Sequence, residues 1–281
     1  MQPKISVIIV NYNRPHEVKD AVQSLISQSV KPFEVIIIDD ASKSPLSMKV
    51  DGSKIKLVRF DEEIGLSSAR NYGIKAAKGE YIAFMDDDCV ASEHWIEELQ
   101  KGIKVGGEIL GGPLRPLFRA APPKWWNEND LGYFAGVGNA ETQEIWGANM
   151  VFKKEVFKTI GVFNPSIGRQ KGKLLAFEDK NLILKGKKSY RVLFLPKAEV
   201  YHLVRSQRLT LSYMIRWSFS HGKSIRIALE PDKLASARAR AGAFYSLLKA
   251  MIKLLDPFTK SKKSVRILQV AIMAEAVGMI I

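Results

Sequence analysis

An apolar run, an amphipathic helical stripe and a second apolar run follow one another within residues 1–40, and that order restricts the chain to folds built on parallel strands. Ile5-Ser6-Val7-Ile8-Ile9-Val10 is β-branched and almost wholly apolar, as in a strand covered on both faces. Between Pro15 and Gln28, residues Val18, Ala21, Val22, Leu25 and Ile26 recur at helical spacing and give one buried stripe. Phe33-Glu34-Val35-Ile36-Ile37-Ile38 repeats the buried-strand pattern and closes on Asp39-Asp40. Two parallel strands need a crossover between them, and the stripe supplies it, so this is a βαβ unit.

The pattern continues downstream. Ile55 to Phe60 reads as a third strand and Leu66 to Ala77 as a helix, with Gly79 able to take the left-handed cap. Tyr81 to Met85 is a fourth strand that runs straight into Asp86-Asp87-Asp88. Residues 106–138 are rich in Gly, Pro and Trp and read as a long loop. Trp146 to Phe152 resumes a strand, Lys154 to Ile160 is a short helix, and Glu178 opens another with two acids in its first turn. Tyr190 to Leu195 and Glu199 to His202 are late strands. After Leu209 the pattern turns helical over Leu211 to Ile227 and Leu234 to Leu255, broken by Pro231 and ended by Asp256-Pro257. The 281 residues suit one large α/β domain with a smaller appendage. The expected division is a catalytic domain over 1–208 and a basic helical region over 209–281.

Charge separates the two parts. Residues 1–100 carry 12 Lys+Arg against 16 Asp+Glu, whereas residues 101–281 carry 31 against 13. A basic second half fits an anionic partner: nucleic acid, an acidic membrane face or a phosphorylated substrate; a merely solvated surface is the plainer alternative. The one cysteine, Cys89, allows no internal disulfide and suits a reducing compartment. Its aspartate neighbours disfavour a thiolate, so it reads as a packing residue. No apolar stretch approaches the ~20 residues of a spanning helix.

Asp86, Asp87 and Asp88 fall at the carboxyl end of a parallel strand, the edge where open α/β sheets hold ligands. Alternation along an extended segment places Asp86 and Asp88 on one side and Asp87 on the other. Carboxylates that converge there need a cation, and hard oxygen ligands suit Mg2+ or Mn2+ shared with phosphates. An acidic turn capping a helix near Ser92 is the plainer alternative. Asp39-Asp40 closes a second strand of the same sheet, so both acidic ends face one crevice, where an acid can accept from a ribose or base.

These residues carry a resemblance. Ser6 to Asn13, Ile38-Asp39-Asp40-Ala41-Ser42, Gly65 with Ala69-Arg70-Asn71, and Gly79 to Asp88 occur in an order similar to that of the inverting glycosyltransferases with the GT-A fold, bacterial family 2 type. Gly147-Ala148-Asn149-Met150 and Phe177-Glu178-Asp179 continue it, so that it covers roughly residues 4–205. The resemblance implies a GT-A-like α/β fold with a mostly parallel sheet, followed here by a helical appendage. Its nucleobase pocket would use Tyr12 for stacking and Asp40 as acceptor, with Arg70 and Asn71 as donor-side contacts. Asp86-Asp87-Asp88 matches the DXD motif: Asp88 would hold Mn2+ or Mg2+ on the diphosphate, and Asp86 and Asp87 would assist through ribose and water. Asp179 would be the general base, and His202 a further ligand of metal or diphosphate.

The implied reaction is inverting transfer of a sugar from a nucleotide diphosphate donor, a UDP-sugar, to a glycan or lipid-linked acceptor. A nucleotidyltransferase in the same crevice is one alternative, although Asn11-Tyr12-Asn13-Arg14-Pro15 lacks the glycine-rich phosphate loop. A basic non-catalytic nucleic-acid binder is another, although no stacking-rich RNA motif is visible and no nucleic-acid partner is expected. Arg205 and Arg208 suit a diphosphate clamp or solvent. Trp125 and Trp126 suit a platform for sugar or lipid, or a loop tucked onto the core. Beyond residue 209, Phe244, Leu247, Leu248, Met251, Ile252 and Leu255 form a stripe beside Lys249 and Lys253, with Lys260, Lys262, Lys263 and Arg266 following. Basic amphipathic helices lie in membrane interfaces, and a helix packed on the catalytic domain is the alternative. The expected location is cytoplasmic, peripheral on the inner face of the cell membrane. Ala274 to Ile281 reads as an apolar tail.

Overall fold

The computed structural model describes residues 2–47, 54–127, 131–132, 136, 143–255 and 263–281. These residues group into two compact units. The first comprises Met1–Leu117, Gly138–Pro165 and Glu178–Leu203; the second comprises Phe118–Val137, Ser166–Phe177 and Val204–Ile281. The helical unit therefore takes in two earlier segments besides the residues after 203.

The first unit is built on a seven-stranded sheet. Strands β1 (Ile5–Asn11), β2 (Glu34–Asp40), β3 (Ile55–Phe60) and β4 (Tyr81–Asp86) are mutually parallel in the order β3-β2-β1-β4. Beyond β4, β8 (Met150–Lys153) runs antiparallel, and β6 (Ile109–Gly111) and β9 (Val192–Phe194) complete the sheet. Only β8 is reversed. A separate three-stranded sheet has the order β5-β10-β7, from Cys89–Ala91, Val200–Val204 and Leu114–Phe118.

Helices cover both faces, which explains why the centres of β1, β2 and β4 are apolar on both sides, with most of the polar residues at the strand ends. Ile5, Val7, Ile9, Val35 and Ile37 pack against α1 (Glu17–Ile26) and α3 (Trp95–Lys104). Ile8, Ile36, Ile38, Ile82 and Phe84 face the other way, against α2 (Leu66–Ala76), α4 (Val156–Ile160) and α5 (Glu178–Gly186). The α1 stripe buries Val18, Ala21, Val22 and Leu25, whereas Ile26, at the last position of the helix, stays exposed.

The expected loop over 106–138 is overturned where it is described, because it contains β6 and β7. Its glycines mark close backbone approach. A Cβ on Gly111 would lie 2.5 Å from Ile145 Cγ2, and one on Gly112 would meet the Ala198 carbonyl. Residues 128–130, 133–135 and 137–138 of that segment lie outside the described residues.

The second unit holds α6 (Leu211–Leu229), α7 (Lys233–Leu255) and α8 (Lys263–Ile280). The expected tail over Ala274 to Ile281 is instead, up to Ile280, the last part of α8. It is apolar because it packs: Ala276 and Gly278 are buried, and Gly278 and Gly222 of α6 let the two backbones touch. Trp125 and Trp126 pack with Leu131, Met214, Trp217, Ile267 and Ala271 in this unit's core.

Candidate active site

Parallel pairing fixes the frame. Asn11 lies opposite Asp39, and Val10 opposite Asp86, so the carboxyl ends of β1, β2 and β4 share one sheet edge. The loop after β1 is tied to the loop after β2: Asn13 N–H donates to Ser42 Oγ (2.8 Å), and Lys43 N–H donates to Asn13 Oδ1 (2.8 Å). Asn13 and Ala41 both have positive φ (56° and 58°). Such conformations cost alanine about 1 kcal/mol or more, and they concentrate at functional sites.

The three acids do not alternate as expected. Strand β4 ends at Asp86, and the chain turns through Asp87 and Asp88 before β5, so period-2 geometry stops where the acids begin. The turn brings Asp87 and Asp88 to one cation. Arg14 Nη1 lies 2.6 Å from Asp87 and 2.8 Å from Asp88, and both acids are buried. Burial pushes the Asp87 carboxyl up to about 7, with Arg14 opposing and Asp88 adding to the rise. None of the three acids caps α3, which starts at Trp95. Sequence reasoning missed Arg14; a cation in the first βα loop, where phosphate-binding folds place glycine, was the available signal.

Asp86 faces a different partner. Arg70, buried on α2, bridges Asp86 (2.9 Å) and Glu178 (2.9 Å), its guanidinium lying over the Phe163 ring at 5.5 Å. Burial first, and then Asp179, pushes Glu178 up to about 7 against the pull of Arg70. Arg70 thus joins a strand-end acid to the acidic pair on α5. Asn71, expected as a donor contact, bonds the main chain here. Its Nδ2 donates to the Phe163 carbonyl (2.8 Å) and its Oδ1 accepts from Phe163 N–H (2.9 Å), so the amide clamps backbone.

Asp40 is buried and accepts from Ile64 N–H (2.8 Å) and Gly65 N–H (2.9 Å). One lone pair on each oxygen is thereby engaged in positioning the loop ahead of α2. Burial raises its carboxyl above the ordinary range against those two bonds. Tyr12 is 42% exposed, and the nearby Glu63 raises its phenol.

Strands β5 and β10 pair antiparallel, with His202 opposite Cys89 and therefore next to Asp88. Asp88, Cys89 and His202 each offer one ligand atom, and these atoms lie within 4.8 Å of one another. His202 Nε2 is 3.4 Å from Asp88 Oδ1. Two ligands held ~2.1 Å from one cation at a right angle stand about 3 Å apart, so this carboxylate and imidazole fit a shared Mn2+ or Mg2+ with little movement. Cys89, read from sequence as a packing residue, is buried in the core and also borders this cluster.

Asp179 is held from two sides. Its Oδ2 accepts from Gly147 N–H (2.7 Å) and its Oδ1 from Lys180 N–H (2.6 Å). A Cβ on Gly147 would stand 2.7 Å from Asp179 Oδ2, so glycine is required for the carboxylate to sit there. Asp86, Asp87, Asp88, Arg70, Asp179 and His202 all belong to the first unit, whereas Arg205 and Arg208 belong to the second.

A sequence model described as Glycosyl transferase family 2 matches residues 6–161. A glucosyl-dolichyl phosphate glucuronosyltransferase of Haloferax volcanii is 25% identical over 242 residues, covering 80% of this chain and 77% of that protein. Among solved structures, the mannosyltransferase PcManGT from Pyrobaculum calidifontis, in complex with GDP-Man and Mn2+, is similar at a TM-score of 0.59 and 18% identity. That match covers 98% of this chain and 87% of the solved one. GalNAc-T7 with UDP, GalNAc and Mn2+ is similar at 0.61 and 18% identity, with 95% of this chain matching 54% of that one. At such identities the solved structures establish the fold, which is the GT-A type expected from the sequence.

Proposed function

This chain belongs to glycosyl transferase family 2, and from that premise we propose that it performs metal-dependent, inverting transfer of a sugar from a UDP-sugar to a glycan or lipid-linked saccharide. The observation that carries the reading is the convergence, within one unit, of the Asp86-Asp87-Asp88 run, His202 and an oriented Asp179. Of the three readings compatible with the sequence, family membership supports sugar transfer over nucleotidyl transfer and nucleic-acid binding.

Tyr12, exposed beside Asp40, is assigned the face of the nucleobase, and Asp86 and Asp87 the ribose and water side. Asp88 and His202 would hold the metal, whose charge would offset that developing on the leaving diphosphate. Arg14, a single positive charge shared by Asp87 and Asp88, offsets the pair only in part, and its guanidinium is of the kind that pairs with phosphate oxygens. Asp179 takes the proton from the acceptor hydroxyl as that oxygen attacks the anomeric carbon opposite the diphosphate. The bond from that carbon to the diphosphate oxygen breaks, and the nucleoside diphosphate leaves with the electron pair. The Haloferax relative, named for a dolichyl phosphate-linked acceptor, supports a lipid-linked acceptor. The complexes with UDP and with GDP-Man leave both nucleotides to be compared.

Calorimetry tests the reading. UDP is expected to bind in the presence of Mn2+, more tightly than GDP, and Asp88→Ala is expected to abolish the metal-dependent part while the protein stays folded. Equal UDP affinity in the variant would remove Asp88 from the metal site, and a preference for GDP would replace the donor assignment.

A further inference from the structure

The helix α7 turns an apolar face away from its own unit. Its packed side holds the buried Ala243 and Ala250 and the half-buried Leu247 and Leu254, so that Leu247 of the expected stripe faces inward. Leu234, Phe244, Tyr245, Leu248, Met251 and Ile252 are instead between 45 and 68% exposed. At about 100° per residue, Phe244, Leu248, Met251, Ile252 and Tyr245 fall in one stripe roughly 120° wide, which also contains Leu234. The same rotation places Arg240 along one edge of the stripe and Arg238 and Lys249 along the other. The helix carries five basic residues and no acid. A protein keeps large apolar side chains in water at a cost, and a contiguous exposed set marks an interaction surface.

We propose that this face of α7 docks onto an anionic lipid surface, with the helix lying in the interface plane. Apolar side chains of this kind reach the boundary between headgroups and acyl chains, and the flanking cations meet acidic headgroups. Among the described residues no helix is long and apolar enough to cross a membrane, so the stripe belongs on a surface and not through a bilayer. Lys263 and Arg266 at the start of α8 add charge of the same sign. The side chain of Leu255, and Lys260 and Lys262, lie outside the described residues. A second copy of the chain fits this face less well, because a twofold contact would set the flanking cations of the two copies near each other with no acid on the helix to pair with them.

The test uses the full chain and sedimentation with vesicles of phosphatidylcholine alone or mixed with phosphatidylglycerol. The protein is expected to pellet with the anionic vesicles at low ionic strength, to be released by salt, and to remain in solution with neutral ones. Phe244→Asp combined with Met251→Asp alters exposed positions only, and circular dichroism verifies its fold. It should reduce partitioning at least tenfold, on the scale of two apolar side chains lost from the interface. Arg238→Gln combined with Lys249→Gln should weaken it roughly fivefold for each cation removed. Should a variant fail to fold, the salt and lipid dependence of the unaltered protein still decides. Wild-type protein that stays in the supernatant at low salt overturns the proposal, as do folded variants that bind equally well. A dimer that the apolar variant converts to monomer, without vesicle binding, would assign the face to a second copy.

Discussion

Single residues set the chemistry through their backbone seats as much as through their side chains. Asp179→Asn keeps the shape of the side chain and removes the basic lone pair, so donor binding should persist while turnover falls 10²- to 10⁴-fold, measured as kcat beside UDP affinity. Gly147→Ala places a methyl 2.7 Å from the Asp179 carboxylate. It should lower kcat by about tenfold or more with little change in donor affinity, since a displaced base loses its alignment with the acceptor. Glu178 makes a pH-dependent contribution. Its folded-state pKa of about 7 lies above the ordinary 4.5, so the folded chain retains a proton that the unfolded chain releases, and stability from this group falls as pH rises through that window. Glu178→Gln removes the burden. Relative to wild type, the variant should gain on the order of 1–3 kcal/mol between about pH 5 and pH 8, read from denaturant unfolding at both values. Asp179 and Asp88 stand out as candidates in the sequence because their motifs are local. Gly147 as the seat of Asp179 was not, because the contact joins residues 32 apart.

At the scale of elements, helix α8 shows why a local pattern misleads. Read linearly, its end is an apolar tail; packed, it is half of a close helix pair. A Cβ on Gly222 would be driven into the Glu275 carbonyl, and one on Gly278 into the Phe219 carbonyl. Mid-helix Gly→Ala ordinarily stabilises by roughly 0.5–1 kcal/mol. Gly222→Ala and Gly278→Ala are expected to do the reverse, destabilising the chain by about 1–3 kcal/mol because the backbones must part. Thermal unfolding decides the sign, and a stabilised variant would mean that the helices do not approach so closely. Strands β6 and β7 teach the same lesson. Glycine and proline read as loop signals in isolation, yet Gly111 and Gly112 are small because Ile145 and Ala198 press on them. By contrast β1, β2, β4 and α1 were recognisable from periodicity, since burial on two faces or along one stripe writes itself into consecutive residues.

For the whole molecule, ligand binding should appear as stability. A ligand that binds only the folded chain adds RT ln(1 + [L]/Kd), about 2.7 kcal/mol at a hundredfold excess over Kd. UDP with Mn2+ should therefore raise Tm, chelation of the metal should reverse the rise, and Asp88→Ala should show none of it. A rise of equal size without metal would separate donor binding from the cation.

The parallel α/β core, the acidic strand ends, the family resemblance and the basic character of the second half are all readable from the amino-acid order. Each of these is carried by neighbouring residues, through strand and helix periods or through charge. Folding in three dimensions was needed to show that Arg14 joins Asp87 to Asp88, that Arg70 links Asp86 to Glu178, that His202 stands across from Cys89, and that Trp125, Trp126, Leu131 and Ala176 pack with the helices. The physical reason is distance along the chain. A guanidinium finds its carboxylates, and a histidine its strand partner, only after the sheets have paired and the turn after β4 has set the direction of each acid.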